Sequence, residues 1–246
     1  MGIIRVGIGG WTFEPWRGTF YPPGLRQKDE LAYATAHLTT IEVNGTYYRL
    51  QSPKSFAEWA KTAPDGFVYA LKASRYCTNR KVLGEAGESI EKFVNQGIAE
   101  LGDKLGPILW QFAPSKVFDA EDMAAFIALL PKAVDGLPLR HALEVRHESF
   151  RDPAFVALAK QAKVAIVRAD HDEYPLIDAD TADFTYARLM RSVEEEPTGY
   201  SSGAIGKWAD EAKNWSAKGD AFVYFISGAK VRAPAAAQAL IATLGT

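Results

Sequence analysis

Three consecutive stretches decide the fold: HALEVRH at residues 141–147, DPAFVALAKQ at residues 152–161 and AIVRAD at residues 165–170. The first and third are short, largely aliphatic runs bounded by polar segments, which is typical of strands. The middle stretch has the apolar spacing of a helix, and Asp152 before Pro153 supplies an N-cap ahead of a proline in the first helical turn. Together they predict one β–α–β unit.

The same alternation runs through the whole chain. We predict eight strands, at Arg5–Trp11, Thr39–Thr46, Phe67–Ser74, Pro107–Ala113, His141–His147, Ala165–Asp170, Phe184–Met190 and Ala221–Ser227. Helical patterns lie at Lys28–His37, Pro53–Thr62, Ser89–Leu101, Ala120–Leu130, Pro153–Gln161, Ile205–Ala217 and Pro234–Leu244, and are weakest in the connection 171–183. The alternation predicts a (β/α)8 barrel of the TIM type with a closed parallel sheet, as one domain over residues 1–246. An open doubly wound sheet would share the alternation and is the alternative.

The composition limits the classes of function. The 246 residues are 48% hydrophobic and 24% charged, enough for one large core, and the net charge of −2 argues against an extended nucleic-acid ligand. Cys77 is the only cysteine, so the chain can form neither an internal disulfide nor a multi-cysteine zinc site. There is no signal-peptide pattern and no apolar run of about 20 residues. We therefore expect a cytoplasmic protein outside the membrane.

Polar residues alternate with apolar residues on six of the predicted strands. Because successive side chains of a strand point to opposite faces, packing the apolar set under the helices turns the polar set toward the barrel axis. That inward set consists of Glu42, Asn44, Lys72, Gln111, Glu144, Arg146, Arg168, Asp170, Tyr186 and Arg188. Most lie near the carboxyl ends of their strands, where barrel enzymes place their active sites. The pattern predicts a functional site at that end.

The charges of the inward set suggest the ligand. Four cations, Lys72, Arg146, Arg168 and Arg188, face three carboxylates, and arginine forks suit carboxylate or phosphate groups, so we expect a small anionic ligand. Among the carboxylates, Glu144 and Asp170 are the candidates for general acid and base, with Glu42 beside them. The alternative is a buried network in which the same charges only neutralise one another.

The sequence assigns no cofactor. The histidines His147 and His171 fall at strand ends, but no HxxEH-like or cysteine-rich spacing accompanies them, so we predict no metal site. The segment GIGGW at residues 7–11 lacks both the GxGxxG spacing and a Walker lysine. Trp11 is the first of four aromatic residues, followed by Trp16, Phe20 and Tyr21. These rings would either stack against a base or sugar at the open end of the barrel or form a hydrophobic lid over it.

Five motifs carry a resemblance to a known family: GW at 10–11, WRGTFYP at 16–22, EVNGTYYR at 42–49, LGPILWQFAP at 105–114 and EVRH at 144–147. With them the chain resembles the YecE-like family, domain of unknown function 72, over nearly its whole length. The resemblance implies a (β/α)8-type barrel and a bacterial or archaeal cytoplasmic protein, and it implies no established reaction. It also adds His147 and Tyr47 to the predicted ligand contacts.

Three positions depart from the family's pattern. Asn79 stands where the family often has histidine, Met190-Arg191 where it often has His-Gly, and Ile226-Ser227 where it often has paired asparagines. The first two changes remove histidines from the expected barrel mouth. They weaken the case for a metal-dependent mechanism.

Two classes of function follow from these observations. The first is a cofactor-independent hydrolase or isomerase that acts on a small anionic or polyol-like substrate. The second is a noncatalytic binding protein for a phosphorylated metabolite or a nucleic-acid end. The sequence does not indicate the oligomeric state.

Overall fold

Eight parallel strands close into a barrel in this computed structural model, which describes residues 1–245. They are β1 (Ile4–Gly9), β2 (Thr40–Val43), β3 (Val68–Lys72), β4 (Leu105–Gln111), β5 (His141–Glu144), β6 (Ala165–Ile166 and Arg168–Asp170), β7 (Phe184–Leu189) and β8 (Asp220–Phe225). Neighbours in the chain pair in parallel, and β8 pairs with β1. The first segment of β6 pairs with β5 and the second with β7, which closes the sheet. The predicted TIM-type barrel is confirmed.

Helices occupy most of the connections. They are α1 (Glu30–His37), α2 (Gly45–Tyr48), α3 (Pro53–Thr62), α4 (Arg75–Thr78), α5 (Gly87–Val94), α6 (Ala120–Ala128), α7 (Pro153–Ala162), α8 (Ser202–Ser216) and α9 (Ala233–Leu244). The predicted cap of α7 is present, since Asp152 accepts a hydrogen bond from the Ala154 amide. Ser52 caps α3 in the same way by accepting a hydrogen bond from the Ser55 amide. Within residues 1–245, no helix is long and apolar enough to cross a membrane.

Two differences from the predicted elements have local causes. The helix expected over Ser89–Leu101 ends at Val94, because Gly97 adopts a left-handed conformation (φ 107°) and begins a separate 3-10 segment, Ile98–Lys104. A small hairpin, Ala133–Val134 with Leu137–Pro138, was not predicted. Its turn places Asp135 and Gly136 at positive φ, the arrangement that Asp-Gly favours between two strands.

Apolar side chains form a layer on each side of the barrel wall. The larger core lies between strands and helices and includes Ile41, Leu143 and Leu189. The smaller one fills the barrel interior and consists of Val68, Ala70, Leu109, Ala142, Ala165, Val167, Phe184, Tyr186, Phe222 and Tyr224. Apolar side chains therefore fill the middle of the barrel, and the charged cluster of Glu42, Glu144 and Arg188 lies nearer the carboxyl ends of the strands.

Candidate functional site

A cavity of about 650 Å³ opens at the carboxyl ends of the strands. Its walls come from the ends of β1, β3, β4 and β7 and from the segments that follow β1, β2, β5 and β8. The charged and polar side chains that line it are Thr12, Asn44, Tyr48, Arg49, Lys72, Gln111, Arg146, Arg188, Ser227 and Lys230. We call this cavity the mouth.

Arg188, on β7, is the centre of the charged cluster beneath the mouth. Its Nε and Nη2 atoms each donate to a different oxygen of Glu42 at 3.0 Å, and its Nη1 atom donates to Glu144 at 2.5 Å. Tyr186 donates from its hydroxyl to Glu42 at 2.8 Å. One guanidinium therefore joins β2, β5 and β7 through buried ion pairs, the geometry in which such pairs are strongest.

Glu144 is held as an ionised carboxylate. Burial alone would raise its pKa, but Arg188 and Arg146 outweigh burial and lower the pKa to about 2. One oxygen accepts from Arg146 at 2.9 Å, and the other accepts from Gln111 at 2.8 Å as well as from Arg188. With both oxygens occupied and a low pKa, Glu144 is poorly suited to proton transfer at neutral pH.

Lys72, at the end of β3, is a cation of the cluster without an ion pair. Within residues 1–245 no carboxylate oxygen lies within 4.0 Å of its Nζ atom, whereas both Arg188 and Arg146 are paired. The Nζ atom lies 4.2 Å from the centre of the Tyr47 ring, in a cation–π contact. Burial, reinforced by Arg188, lowers the pKa of Lys72 to about 8.

The cluster carries a net positive charge. Three cations, Lys72, Arg146 and Arg188, face two carboxylates, Glu42 and Glu144, which leaves one positive charge unbalanced. Because the two arginines take up the carboxylates, the unbalanced charge is that of the lysine. The mouth thus offers an anion a free ammonium group in a partly desolvated setting.

The structure corrects the face assigned to β6. Val167 and Ala169 point into the barrel, while Arg168 and Asp170 line a separate cavity of about 500 Å³ between the barrel wall and α8. Arg168 lies over the Trp215 ring, 5.6 Å from its centre, and bonds to Asp178 and Asp180. Ala165, Val167 and Ala169 share one face of this strand, and Ile166, Arg168 and Asp170 share the other. Because a barrel strand is covered on both sides, this pattern does not fix which face is inward. The proposed pairing of Glu144 with Asp170 therefore lacks a shared cavity.

The remaining predicted residues take different positions. Asn44 lines the mouth, and so does Trp11, whose ring packs edge-on against Trp59 at 5.3 Å. His147 instead caps the 3-10 turn Glu148–Arg151, where its Nδ1 atom accepts a hydrogen bond from the Ser149 amide. Its imidazole thus has a local structural partner.

Sequence reasoning missed Tyr174, which lies beside Arg146, and it missed five residues that line the mouth: Thr12, Tyr48, Arg49, Ser227 and Lys230. Tyr174 covers Arg146, whose guanidinium carbon lies 4.5 Å from the ring centre, and it stacks on His171 at 3.8 Å. Lys230 lines the cavity with its Nζ atom 4.2 Å from the centre of the Phe13 ring. Tyr174 and Lys230 both lie in connections that follow strands. For Tyr174, the long connection 171–183 without a clear helical pattern was the feature of the sequence that could have indicated a role at the site.

Two of the departures from the family's pattern meet in space. Met190 and Ile226 pack with Ala169 as a small apolar cluster at the barrel's upper rim, with Tyr174 against it. Arg191 turns away and pairs with Asp170 at 2.8 Å. Within residues 1–245, no group of three histidine, cysteine or acidic side chains is arranged to hold a metal ion.

Comparison with known proteins agrees with this architecture. The family model described as "Protein of unknown function DUF72" matches residues 5–246. The chain belongs to the DUF72 family. Its relatives include YunF of Bacillus subtilis, 24% identical over 62% of this chain and 54% of YunF, and YecE of Escherichia coli K12, 23% identical over 60% and 50%.

The matched region thus spans about half the length of these curated relatives. Among solved structures, the DUF72 protein TM1631 of Thermotoga maritima superposes with a TM-score of 0.81 at 23% identity, covering 99% of this chain and all of that one. This likeness concerns the fold.

Proposed function

We propose that the mouth binds a small anionic ligand and that Lys72 contacts its carboxylate or phosphate oxygens. The observation that carries the proposal is the Lys72 ammonium, which faces a 650 Å³ cavity without a carboxylate partner. Arg146 borders the same cavity, and 18% of its side chain is exposed. Together they supply the cationic donors that oxyanions favour.

As an enzyme, this DUF72 protein would be a hydrolase or isomerase in which Lys72 moves the proton. A general acid or base works best when its pKa is close to the working pH, and the pKa of Lys72 is about 8. In this proposal Glu42 and Glu144 position Arg188 and Arg146 and transfer no proton. This replaces the acid–base pair expected from the sequence.

The second candidate is a noncatalytic site for a phosphorylated metabolite or a nucleic-acid end. It is favoured by the ion pairs that Arg188 makes with both Glu42 and Glu144, which engage the two buried carboxylates beneath the mouth. Incubation with a panel of phosphorylated and carboxylated metabolites separates the two candidates. Conversion that disappears in Lys72→Met supports the enzyme, and recovery of a tightly bound, unchanged ligand supports the binding protein.

Lys72→Met is expected to weaken the binding of inorganic phosphate by at least about tenfold, since hydrogen bonds to charged groups contribute roughly 1.5–3 kcal/mol. Methionine preserves the apolar stem, so the melting temperature should change little. Isothermal titration calorimetry measures the affinity. Lys92→Met is the matched control, because Lys92 is exposed and pairs with Glu88 on α5. Equal affinities in wild type and Lys72→Met would reject the proposal.

Asp170→Asn is expected to leave phosphate affinity within about twofold of wild type, the scale for positions without shared partners. Asp170 lines the outer cavity between the barrel wall and α8, where Arg191 is its ion-pair partner. The same titration tests this. A loss as large as that of Lys72→Met would show that Asp170 acts at the mouth after all.

A further inference from the structure

Two lysines are buried to the same degree in very different surroundings. Lys72 and Lys104 are both 9% exposed. Lys104 donates hydrogen bonds to the carbonyl oxygens of Ala60 and Ala63 at 2.7 and 2.6 Å, and so ties the end of α3 to the start of β4. Within the described residues 1–245, the Nζ atom of Lys72 makes no hydrogen bond or ion pair, and it lies 4.2 Å from the centre of the Tyr47 ring.

The Lys72 amine borders the mouth and has no acceptor among the described residues, so a ligand in the mouth can supply its partner. Lys72 has no carboxylate left with which to form an ordinary ion pair, because Glu42 and Glu144 are already paired with Arg188 and Arg146. A lysine that is desolvated beside other cations is the usual form of a nucleophilic amine. At pH 8 the Lys72 amine would be unprotonated in about half of the protein molecules, whereas an ordinary lysine would be unprotonated in roughly one in a few hundred.

We infer that Lys72 forms an imine with the carbonyl carbon of a small oxo acid whose carboxylate lies against Arg146. The nucleophile and the guanidinium line one cavity, and an oxo acid carries its electrophile and its anion on neighbouring atoms. The inference rests on the anion-binding role proposed above and specifies the substrate class for it.

The bond changes balance without an added cofactor. The neutral amine attacks the carbonyl carbon, the carbonyl π electrons move to oxygen, and proton transfer from nitrogen to that oxygen gives a carbinolamine. Its hydroxyl group then takes up a proton and leaves as water, while the nitrogen lone pair forms the carbon–nitrogen double bond. Starting from the ammonium form and the carbonyl, the products are a protonated imine and one water molecule.

The test uses glyoxylate as the oxo acid and cyanoborohydride as the reductant, which delivers hydride to the imine carbon and fixes it as a secondary amine. Peptide mass spectrometry then locates carboxymethylated lysines over time. We expect Lys72 to be labelled at least about tenfold faster than either the buried Lys104 or the exposed Lys92, since a lowered pKa and an open cavity both favour it. The Lys72 rate should level off near pH 8, whereas that of Lys92 should keep rising.

Lys72→Arg keeps the positive charge and removes the reactive amine, so the fast phase of labelling should disappear in that variant. Equal labelling of Lys72 and Lys92, or a fast phase that survives Lys72→Arg, would overturn the inference. Calorimetry with oxalate, which has no aldehyde or ketone carbon, separates this failure from failure of the proposed function. Oxalate binding that depends on Lys72, without preferential labelling, would overturn the imine and leave the anion site standing. Absence of both would overturn both.

Discussion

Arg188→Met is expected to lower the free energy of unfolding by about 3–5 kcal/mol, the range for removing one partner of a buried ion pair. Only 3% of the Arg188 side chain is exposed, and its guanidinium makes three hydrogen bonds to Glu42 and Glu144. Its loss would leave two carboxylates facing each other with only Arg146, Tyr186 and Gln111 as partners. Urea unfolding at pH 7 measures the change.

Two comparisons make this result specific. Arg151→Met removes an arginine from an exposed pair with Glu148 and should change stability by less than about 0.5 kcal/mol. The triple variant Glu42→Gln/Glu144→Gln/Arg188→Met removes the uncompensated charges and should be more stable than Arg188→Met alone. If Arg188→Met lowered the free energy of unfolding by less than about 1 kcal/mol, the result would contradict the view that Arg188 compensates two buried carboxylates.

Glu144→Gln is expected to show a stability deficit that depends on pH. The pKa of Glu144 is about 2 in the folded protein and has an ordinary value of 4.5, so folding favours the ionised form by about 3 kcal/mol. This contribution is complete above pH 4.5 and is lost as the pH falls toward 2. The deficit of Glu144→Gln relative to wild type should therefore be largest at neutral pH and shrink through that window.

Urea unfolding of both proteins at a series of pH values measures this deficit. Glu148→Gln serves as the control, because the Glu148 side chain is 63% exposed and its pair with Arg151 contributes little at any pH. A deficit for Glu144→Gln that stays constant from pH 7 to pH 3 would show that the arginines do not hold the carboxylate ionised.

The barrel was predictable because its signal is repeated eight times along the chain. The inward faces of most strands were also readable, since Glu42 stands between Ile41 and Val43, two aliphatic residues of the outer core. In β6 the same reasoning fails. Ile166 is apolar on one face and Val167 on the other, so pairing with β5 and β7 decides the orientation of Arg168.

The roles within the site were less predictable than its location. The sequence predicted that acidic and basic side chains lie at the same end of the barrel, but it did not indicate which of them form ion pairs with one another. Lys72 and Arg146 are both inward cations on strand ends, yet only Arg146 has a carboxylate within reach. That difference depends on contacts between strands far apart in the chain, and it is what distinguishes Lys72 from Arg146.

The three-strand ion pair also bears on how the barrel finds its register during folding. Arg188 reaches Glu42 across 146 positions of the chain and Glu144 across 44, so the cluster is incomplete until β7 docks. A slip of β7 by one residue would turn Arg188 toward the helices and put Ala187 or Leu189 beside the two carboxylates. A misregistered barrel would thus bury Glu42 without a cation and leave Glu144 with Arg146 alone. The charges beneath the mouth therefore favour the correct strand alignment more strongly than apolar packing alone would.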